Sequence, residues 1–173
     1  AELVPMGSDD HTAWNRSTYD RIAARYAENQ ARQHSDNERW FSTLYEAFIA
    51  RMPVTGRVAD LGCGPASDGA RLARGGFQVV AMDLSMGMLS VAASRLPGHL
   101  AQADLRAVPI RSQGLDGVWC CAALLHVPEE DTERVLAEFA RIIRPGGVLA
   151  LVTAIGESSC LEEVPYAPDE RRW

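Results

Sequence analysis

The stretch from Val58 to Ala66 constrains the fold of this chain more than any other. A short apolar run ends there in Asp60, and the turn Gly62-Cys63-Gly64 follows at once. Glycines let a backbone approach a ligand closely because they carry no Cβ atom. The amides of such a loop, and of the helix that follows it, can donate to a bound carboxylate or phosphate. The stretch therefore predicts a buried strand that ends in a ligand-binding loop.

The rest of the chain alternates between strand and helix patterns. The predicted strands are 57–61, 77–82, 99–103, 117–122 and 148–153. The predicted helices are 18–29, 37–51, 67–74, 86–96 and 128–143. This alternation predicts an α/β fold with a parallel sheet covered on both faces, in which ligands bind outside the carboxyl ends of the strands. Residues 154–173 predict a loop-like tail with no sixth or seventh strand.

Composition excludes several classes of protein. The 173 residues suffice for one domain with a core. The formal charge of -6, with no basic run, disfavours a nucleic-acid partner. No run approaches the ~18 apolar residues of a membrane span, and no signal peptide is visible. The four cysteines form no C-x-x-C pair, which favours a reduced, cytoplasmic setting. Lysine is absent, and the all-arginine usage indicates a GC-rich bacterial genome.

The first residues are set apart from the domain. The run Leu3 to Ser8 looks like a protease-site scar from an expression tag with one change, although it could equally be native. We therefore predict a tail over residues 1–16 and a single domain over residues 17–173.

The glycine turn departs from the dinucleotide-binding pattern Gly-x-Gly-x-x-Gly. Ser67 stands where the third glycine would fall, and Asp60 lies two residues before the first glycine. An anion at that place offers nothing to a pyrophosphate, but it suits an amino-acid ligand with a cationic ammonium group. A nicotinamide oxidoreductase is therefore the weaker alternative.

The turn resembles the first motif of the class I S-adenosylmethionine-dependent methyltransferases, Asp/Glu-x-Gly-x-Gly-x-Gly. Ala66 replaces the third glycine, and we expect it to keep ordinary backbone angles. Further stretches resemble the other family motifs in the right order: 79–92, 103–105, 115–128 and 141–149, with Tyr19 to Tyr26 resembling the N-terminal helix over the cofactor. The resemblance implies a Rossmann-like, doubly wound parallel sheet with N-terminal helices. Because the family has seven strands, it also implies that the C-terminal strands are missing and the domain incomplete.

The resemblance also implies S-adenosylmethionine as cofactor and S-adenosylhomocysteine as product. Asp83 would accept both ribose hydroxyls, because two carboxylate oxygens suit two neighbouring donors. Asp104 would accept from the adenine amino group, and Tyr26 would meet the methionine carboxylate. The predicted cofactor-binding residues are Tyr26, Asp60, Gly62, Cys63, Gly64, Asp83, Leu84, Met88, Asp104, Leu105 and Ala122.

His126 follows the predicted fourth strand, close to where the transferable methyl group should lie. It could act as a general base, since the ordinary pKa of histidine suits neutral pH. The alternative is a structural role in the pocket wall. The other histidines show no metal-ligand spacing, so no metal is predicted.

The sequence thus predicts transfer of a methyl group to a small-molecule acceptor by direct in-line displacement. The first alternative is a non-catalytic or regulatory protein that binds S-adenosylmethionine. Neither nucleic acid nor membrane is expected as a partner.

Overall fold

A computed structural model describes residues 7–33, 38–154 and 160–173 of the chain. The helices are α1 (Ser8–Gln33), α2 (Glu38–Ile49), α3 (Ser67–Arg74), α4 (Met86–Ala92) and α5 (Thr132–Ile142). The strands are β1 (Arg57–Leu61), β2 (Gln78–Asp83), β3 (Leu100–Gln102), β4 (Leu115–Cys121), β5 (Ile143–Val152), β6 (Glu162–Val164) and β7 (Ala167–Arg172). Two 3₁₀ turns, Leu124–His126 and Glu129–Asp131, join β4 to α5.

Five strands form one sheet in the order β3-β2-β1-β4-β5, and every neighbouring pair is parallel. The chain runs outward from β1 to β3 and then crosses back to β4 on the other side of β1. Strand order reverses between β1 and β4, where ligands bind in open α/β sheets. The predicted doubly wound fold is confirmed.

The two faces of the sheet bury separate apolar clusters. Alternate strand residues point to opposite faces, so Ala59 and Val118 pack with Phe139 of α5, whereas Val58 and Trp119 join the other cluster. That second cluster includes Phe48 from α2 and Leu72 from α3. Burial on both faces explains why the central strands read as nearly continuous apolar runs.

Helix α1 is much longer than predicted, because it begins at Ser8 instead of residue 18. Residues 8–16, assigned to a tail, form its first turns. Apolar spacing marks only the middle of the helix, whereas its start is polar and carries Asp9 and Asp10, which suit the positive end of the helix dipole. Residues 3–6 of the run Leu3 to Ser8 lie outside the described residues.

The segment predicted as a loop-like tail contains a β-hairpin. Strands β6 and β7 pair antiparallel and do not join the main sheet. The hairpin packs on α1, where Val164, Ala167 and Ile22 form a fully buried cluster. Its strands are short and mostly charged, so their apolar signal is too weak to read without the helix they pack against.

Smaller differences concern element ends. The predicted helix 86–96 ends at Ala92. The predicted strand 148–153 begins earlier, at Ile143, directly after α5. Its pairing with β4 shifts register between Leu115 and Gly117. Within the described part of the chain, no helix combines the length and apolar character needed to cross a membrane.

Candidate active site

A cavity of about 110 Å³ lies at the carboxyl ends of β1, β2 and β4, beneath α1. Its walls come from one face of α1 and from the segments that follow the first four strands. Nine of the eleven predicted cofactor-binding residues line it: Tyr26, Gly62, Gly64, Asp83, Leu84, Met88, Asp104, Leu105 and Ala122. The fold thus brings together groups that are up to 96 positions apart in the sequence.

The loop after β1 depends on its two glycines. Gly62 and Gly64 have positive φ angles, 70° and 51°. A Cβ on Gly62 would lie 2.1 Å from the Cβ of Ala123, so no side chain fits there. A Cβ on Gly64 would enter the cavity, 3.8 Å from Cε1 of Tyr26. At Gly64 the loop backbone is therefore accessible to a ligand, whereas at Gly62 it packs directly against the segment that follows β4.

Ala66 does not keep ordinary backbone angles, contrary to expectation. Its φ and ψ are 57° and 36°, in the left-handed region, and it is fully buried at the start of α3. Its amide donates to the oxygen of Cys63 at 2.8 Å, which closes the turn into the helix. The strain of that conformation for an L-residue is about 1 kcal/mol.

Two predicted cofactor-binding residues lie outside the cavity wall. Asp60 is 3% exposed and accepts from the amide of Gly69 at 2.9 Å, so it anchors the first turn of α3. Burial, reinforced by the nearby Asp68, raises the pKa of its carboxyl well above the ordinary value. Cys63 is half-buried and its thiol lies 3.5 Å from the oxygen of Gly64. Both residues therefore support the conformation of the loop without lining the cavity.

Asp83 ends β2 and faces the cavity. One carboxylate oxygen accepts from the amide of Gly64 at 2.8 Å and the other from the amide of Ser85 at 2.9 Å. Burial raises the pKa of this carboxyl, while the backbone hydrogen bonds oppose that shift. Each carboxylate oxygen can accept more than one hydrogen bond, so both keep capacity for the two hydroxyls of a ribose.

Asp104 lines the cavity and is held by Arg106. The guanidinium Nη2 lies 2.7 Å from Oδ2 of Asp104, while Nη1 lies 3.0 Å from Asp131 and 3.1 Å from Asp9. Burial disfavours the charge on Asp104, but the hydrogen bonds from Arg106 outweigh it, and the pKa of Asp104 lies below its ordinary value. Sequence reasoning missed Arg106, although its place two residues after an expected ligand was a signal.

The lining groups fit the predicted cofactor in kind. Met88 is 2% exposed and, with Leu84 and Leu105, offers apolar surface for a flat base. Asp83 offers open acceptors for vicinal hydroxyls, and the backbone at Gly64 is open for an amino-acid end. S-adenosylmethionine carries all three features.

His126 also lines the cavity, and both of its ring nitrogens are engaged. Nδ1 lies 2.7 Å from the oxygen of Trp173, and Nε2 lies 2.7 Å from the hydroxyl of Tyr19. Because the Trp173 oxygen only accepts, Nδ1 carries the hydrogen and Nε2 accepts from Tyr19. Burial lowers the pKa of His126 to about 4, against the opposing hydrogen bond to Trp173. Sequence reasoning found His126 but missed Tyr19 as a site residue.

Helix α1 is tied down along the cavity. Oδ1 of Asp20 accepts from the hydroxyl of Ser85 at 2.6 Å and from the amide of Gly87 at 2.9 Å. Asn15, buried at 4% exposure, donates to the oxygen of His126 at 3.1 Å and accepts from the amide of Trp173 at 2.9 Å. These contacts fix the wall that carries Tyr19 and Tyr26.

Comparison with known proteins gives a consistent result. A family model described as a methyltransferase domain matches residues 58–147, more than half of the chain. The chain is 33% identical over 162 residues to a malonyl-[acyl-carrier protein] O-methyltransferase of Enterobacter lignolyticus, covering 87% of this chain and 61% of that protein. It is 32% identical over 128 residues to the methyltransferase GfsG of Streptomyces halstedii, covering 68% and 44% of the two proteins.

Among solved structures, the fold resembles a chain in the complex between the Haloferax volcanii Trm112 methyltransferase activator and a protein described as a methyltransferase. The TM-score is 0.61 at 26% identity, over 78% of this chain and 58% of that one. In each of these matches the chain spans less than two thirds of its relative. The matched family region contains the glycine loop, Asp83 and Asp104. The chain belongs to the class I S-adenosylmethionine-dependent methyltransferases.

Proposed function

We propose that this protein transfers a methyl group from S-adenosylmethionine to a small-molecule acceptor. The observation that carries the proposal is the joint placement of Asp83 and Gly64, hydrogen-bonded at 2.8 Å, at the reversal of strand order. The cofactor supplies an activated methyl group on its sulfonium. The protein's task is then to hold the acceptor in line with that group and to exclude water.

The residues predicted to bind the cofactor take distinct roles in this proposal. Asp83 accepts the ribose hydroxyls, and Asp104, held by Arg106, accepts from the adenine amino group. Tyr26 and Gly64 receive the methionine end. Leu84, Met88, Leu105 and Ala122 supply the apolar wall, while Asp60 and Cys63 act by shaping the glycine loop.

The acceptor end of the cavity lies between α1 and the segment after β4, beside Tyr19 and His126. The space is small, and the chain carries a net charge of -6, which suits a small molecule better than a nucleic acid. One relative is a malonyl-[acyl-carrier protein] O-methyltransferase. An acceptor delivered on a carrier protein would likewise place only its small acyl group in such a cavity.

We propose that the enzyme is cytoplasmic, because its cysteines are not paired in disulfides. Cys63, Cys120, Cys121 and Cys160 are all free thiols. Burial raises the pKa of the Cys120 and Cys121 thiols to about 12 each, so these two are inert packing groups.

Calorimetric titration with S-adenosylmethionine, S-adenosylhomocysteine and NAD tests the proposal. We expect micromolar binding, on the order of -8 kcal/mol, for the first two and none for NAD. Binding of NAD alone would overturn the proposal in favour of an oxidoreductase. Tight binding of S-adenosylmethionine with no methylated product across a broad acceptor screen would favour a non-catalytic binding protein.

A further inference from the structure

The hydroxyl of Tyr19 lies at the meeting point of the cavity, the β4 segment and the C-terminal hairpin. Tyr19 is one of the residues that line the cavity, and its hydroxyl lies 2.7 Å from Nε2 of His126 and 3.3 Å from Nη1 of Arg172. The Tyr19 and His126 rings also pack edge to face, with centroids 5.1 Å apart. The hydroxyl is therefore held in place by groups from two other segments of the chain.

The direction of each hydrogen bond follows from its partners. The oxygen of Trp173 accepts from Nδ1 of His126, which leaves Nε2 as an acceptor for the Tyr19 hydrogen. Arg172 only donates, so it occupies one lone pair of the Tyr19 oxygen. What remains for the cavity is the second lone pair of that oxygen. The neighbouring group in the cavity must therefore be a donor, such as O–H or N–H.

We propose that Tyr19 is a catalytic residue that receives the proton of the acceptor and relays it to His126, and that the acceptor is a hydroxyl or amine compound. This rests on the proposed methyl transfer. The acceptor's oxygen or nitrogen forms the new bond to the methyl carbon as the carbon–sulfur bond breaks. The acceptor's proton passes to the Tyr19 oxygen while the Tyr19 proton passes to Nε2 of His126, which becomes imidazolium.

The relay conserves charge. The positive charge that the sulfonium loses is the charge that the imidazole gains, so the net charge of the cavity does not change. Burial, with Arg172 nearby, lowers the pKa of His126, so the ring is neutral in the neutral range and Nε2 keeps a lone pair that can take the proton. Arg172, paired with Glu162 at 2.9 Å, supports negative charge on the Tyr19 oxygen during transfer. Asp83 and Glu162 are the anions that act on Tyr19.

A carboxylate acceptor fits this arrangement poorly, so we expect the acceptor to differ from the malonyl group named for one relative. A carboxylate carries no proton at neutral pH, and its oxygens would meet the open lone pair of Tyr19 instead of a donor. The site thus distinguishes acceptors by the hydrogen on the reacting atom.

Nitrogen-15 NMR of the histidine-labelled protein tests the relay without turnover. We expect His126 as the Nδ1–H tautomer. In Tyr19→Phe we expect the Nε2 resonance of His126 to move toward that of an imidazole nitrogen with no hydrogen-bond donor, because the Tyr19 hydroxyl is lost. The Nε2–H tautomer, or an unchanged Nε2 resonance in Tyr19→Phe, would overturn the proposal.

Activity is then measured with a phenol, a primary amine and a carboxylic acid of matched skeleton, by S-adenosylhomocysteine release. We expect transfer to the phenol or the amine and none to the acid. Tyr19→Phe and His126→Asn should each lower kcat about 10²- to 10⁴-fold with unchanged affinity for S-adenosylmethionine. Tyr45→Phe is the matched control, since that hydroxyl bonds to the oxygen of Arg71 outside the cavity.

The outcomes separate the two proposals. If the unaltered protein does not bind S-adenosylmethionine, both the proposed function and the relay are refuted. Binding together with transfer only to the acid, or full kcat in Tyr19→Phe, would refute the relay alone.

Discussion

At the residue scale, the carboxylate of Asp83 has two roles. It accepts hydrogen bonds from the amides of Gly64 and Ser85, and its remaining lone pairs are available to a ligand in the cavity. The sequence identified this residue because an acid directly after a buried parallel strand stands out. Arg106 and Tyr19 could not be found in the same way. Arg106 also pairs with Asp9 and Asp131 from other segments, and Tyr19 meets Arg172 from 153 positions away, so only the packed chain reveals their full roles.

Asp83→Ala should weaken S-adenosylmethionine binding by about 1 to 3 kcal/mol, because charge-assisted hydrogen bonds to the ribose are lost. Calorimetry measures the change. Asp169→Ala is the control, since Asp169 pairs with Arg25 on the surface away from the cavity. Asp83→Asn keeps the side-chain size and separates loss of charge from collapse of the loop. Unchanged affinity in both Asp83 variants would refute the ribose assignment.

At the scale of the element, substitutions at the two glycines of the β1 loop should have different effects: one on folding stability and the other on cofactor binding. Gly62→Ala should unfold or strongly destabilise the protein, because its Cβ would meet that of Ala123. Gly64→Ala should cost only about 1 kcal/mol of stability for its left-handed angle, yet it should block the cofactor because its Cβ enters the cavity. Denaturant unfolding and calorimetry measure the two effects. Equal losses of stability in both variants would contradict this account.

Helix α1 should be loosened by Gly87→Ala. A Cβ there would lie 2.5 Å from the backbone oxygen of Asp20, so α1 must move away from α4. We expect faster hydrogen exchange in α1 and weaker cofactor binding, with the sheet preserved. Ser90→Ala on the exposed side of α4 is the control, because its hydroxyl bonds only within that helix. Unaltered exchange in α1 would show that the helix docks by other contacts.

A helix or strand could be predicted from the sequence where its buried apolar side chains recur with a regular spacing. The sheet strands and α5 show such spacing, and their positions were correctly predicted within a few residues. The hairpin and the first turns of α1 were not, because charged side chains dominate them and their stability comes from packing against each other. The hydrogen bond from Nε1 of Trp14 to the oxygen of Arg171, at 3.1 Å, joins these two elements.

At the scale of the whole molecule, burial of His126 makes stability depend on pH. Its folded pKa of about 4 lies below the ordinary 6.5, so the unfolded chain binds the extra proton first as pH falls. Stability from this group is complete above pH 6.5 and declines toward pH 4, by at most roughly 3 kcal/mol. Asp60 and Asp83 act in the opposite sense, since burial raises their pKa values.

Denaturant unfolding at pH 7 and pH 5 therefore compares the unaltered protein with His126→Gln. The unaltered protein should lose more stability on acidification than the variant, which cannot titrate at this position. Parallel losses in both proteins would show that His126 is solvated or already protonated in the folded state.

The architecture could be predicted from the alternation of strand and helix patterns alone, because each parallel strand is joined to the next by a crossover and this order repeats along the chain. The site was predictable where function needs a backbone shape, as at the β1 loop, and where acids follow strands. It was not predictable where an acid serves the fold: Asp60 anchors α3 at Gly69 instead of facing the cavity. The family's typical residues therefore predict the wall of the cavity better than they predict the acceptor.

The oxygen that sets the tautomer of His126 belongs to the backbone of Trp173. A main-chain oxygen survives any substitution of its own side chain, so this hydrogen bond depends on the path of the hairpin and not on the indole of Trp173, which stacks on His11. Mutations that shift that path would change the chemistry at Tyr19 without altering a residue of the cavity. The hairpin thus gives natural selection a way to tune reactivity separately from cofactor affinity.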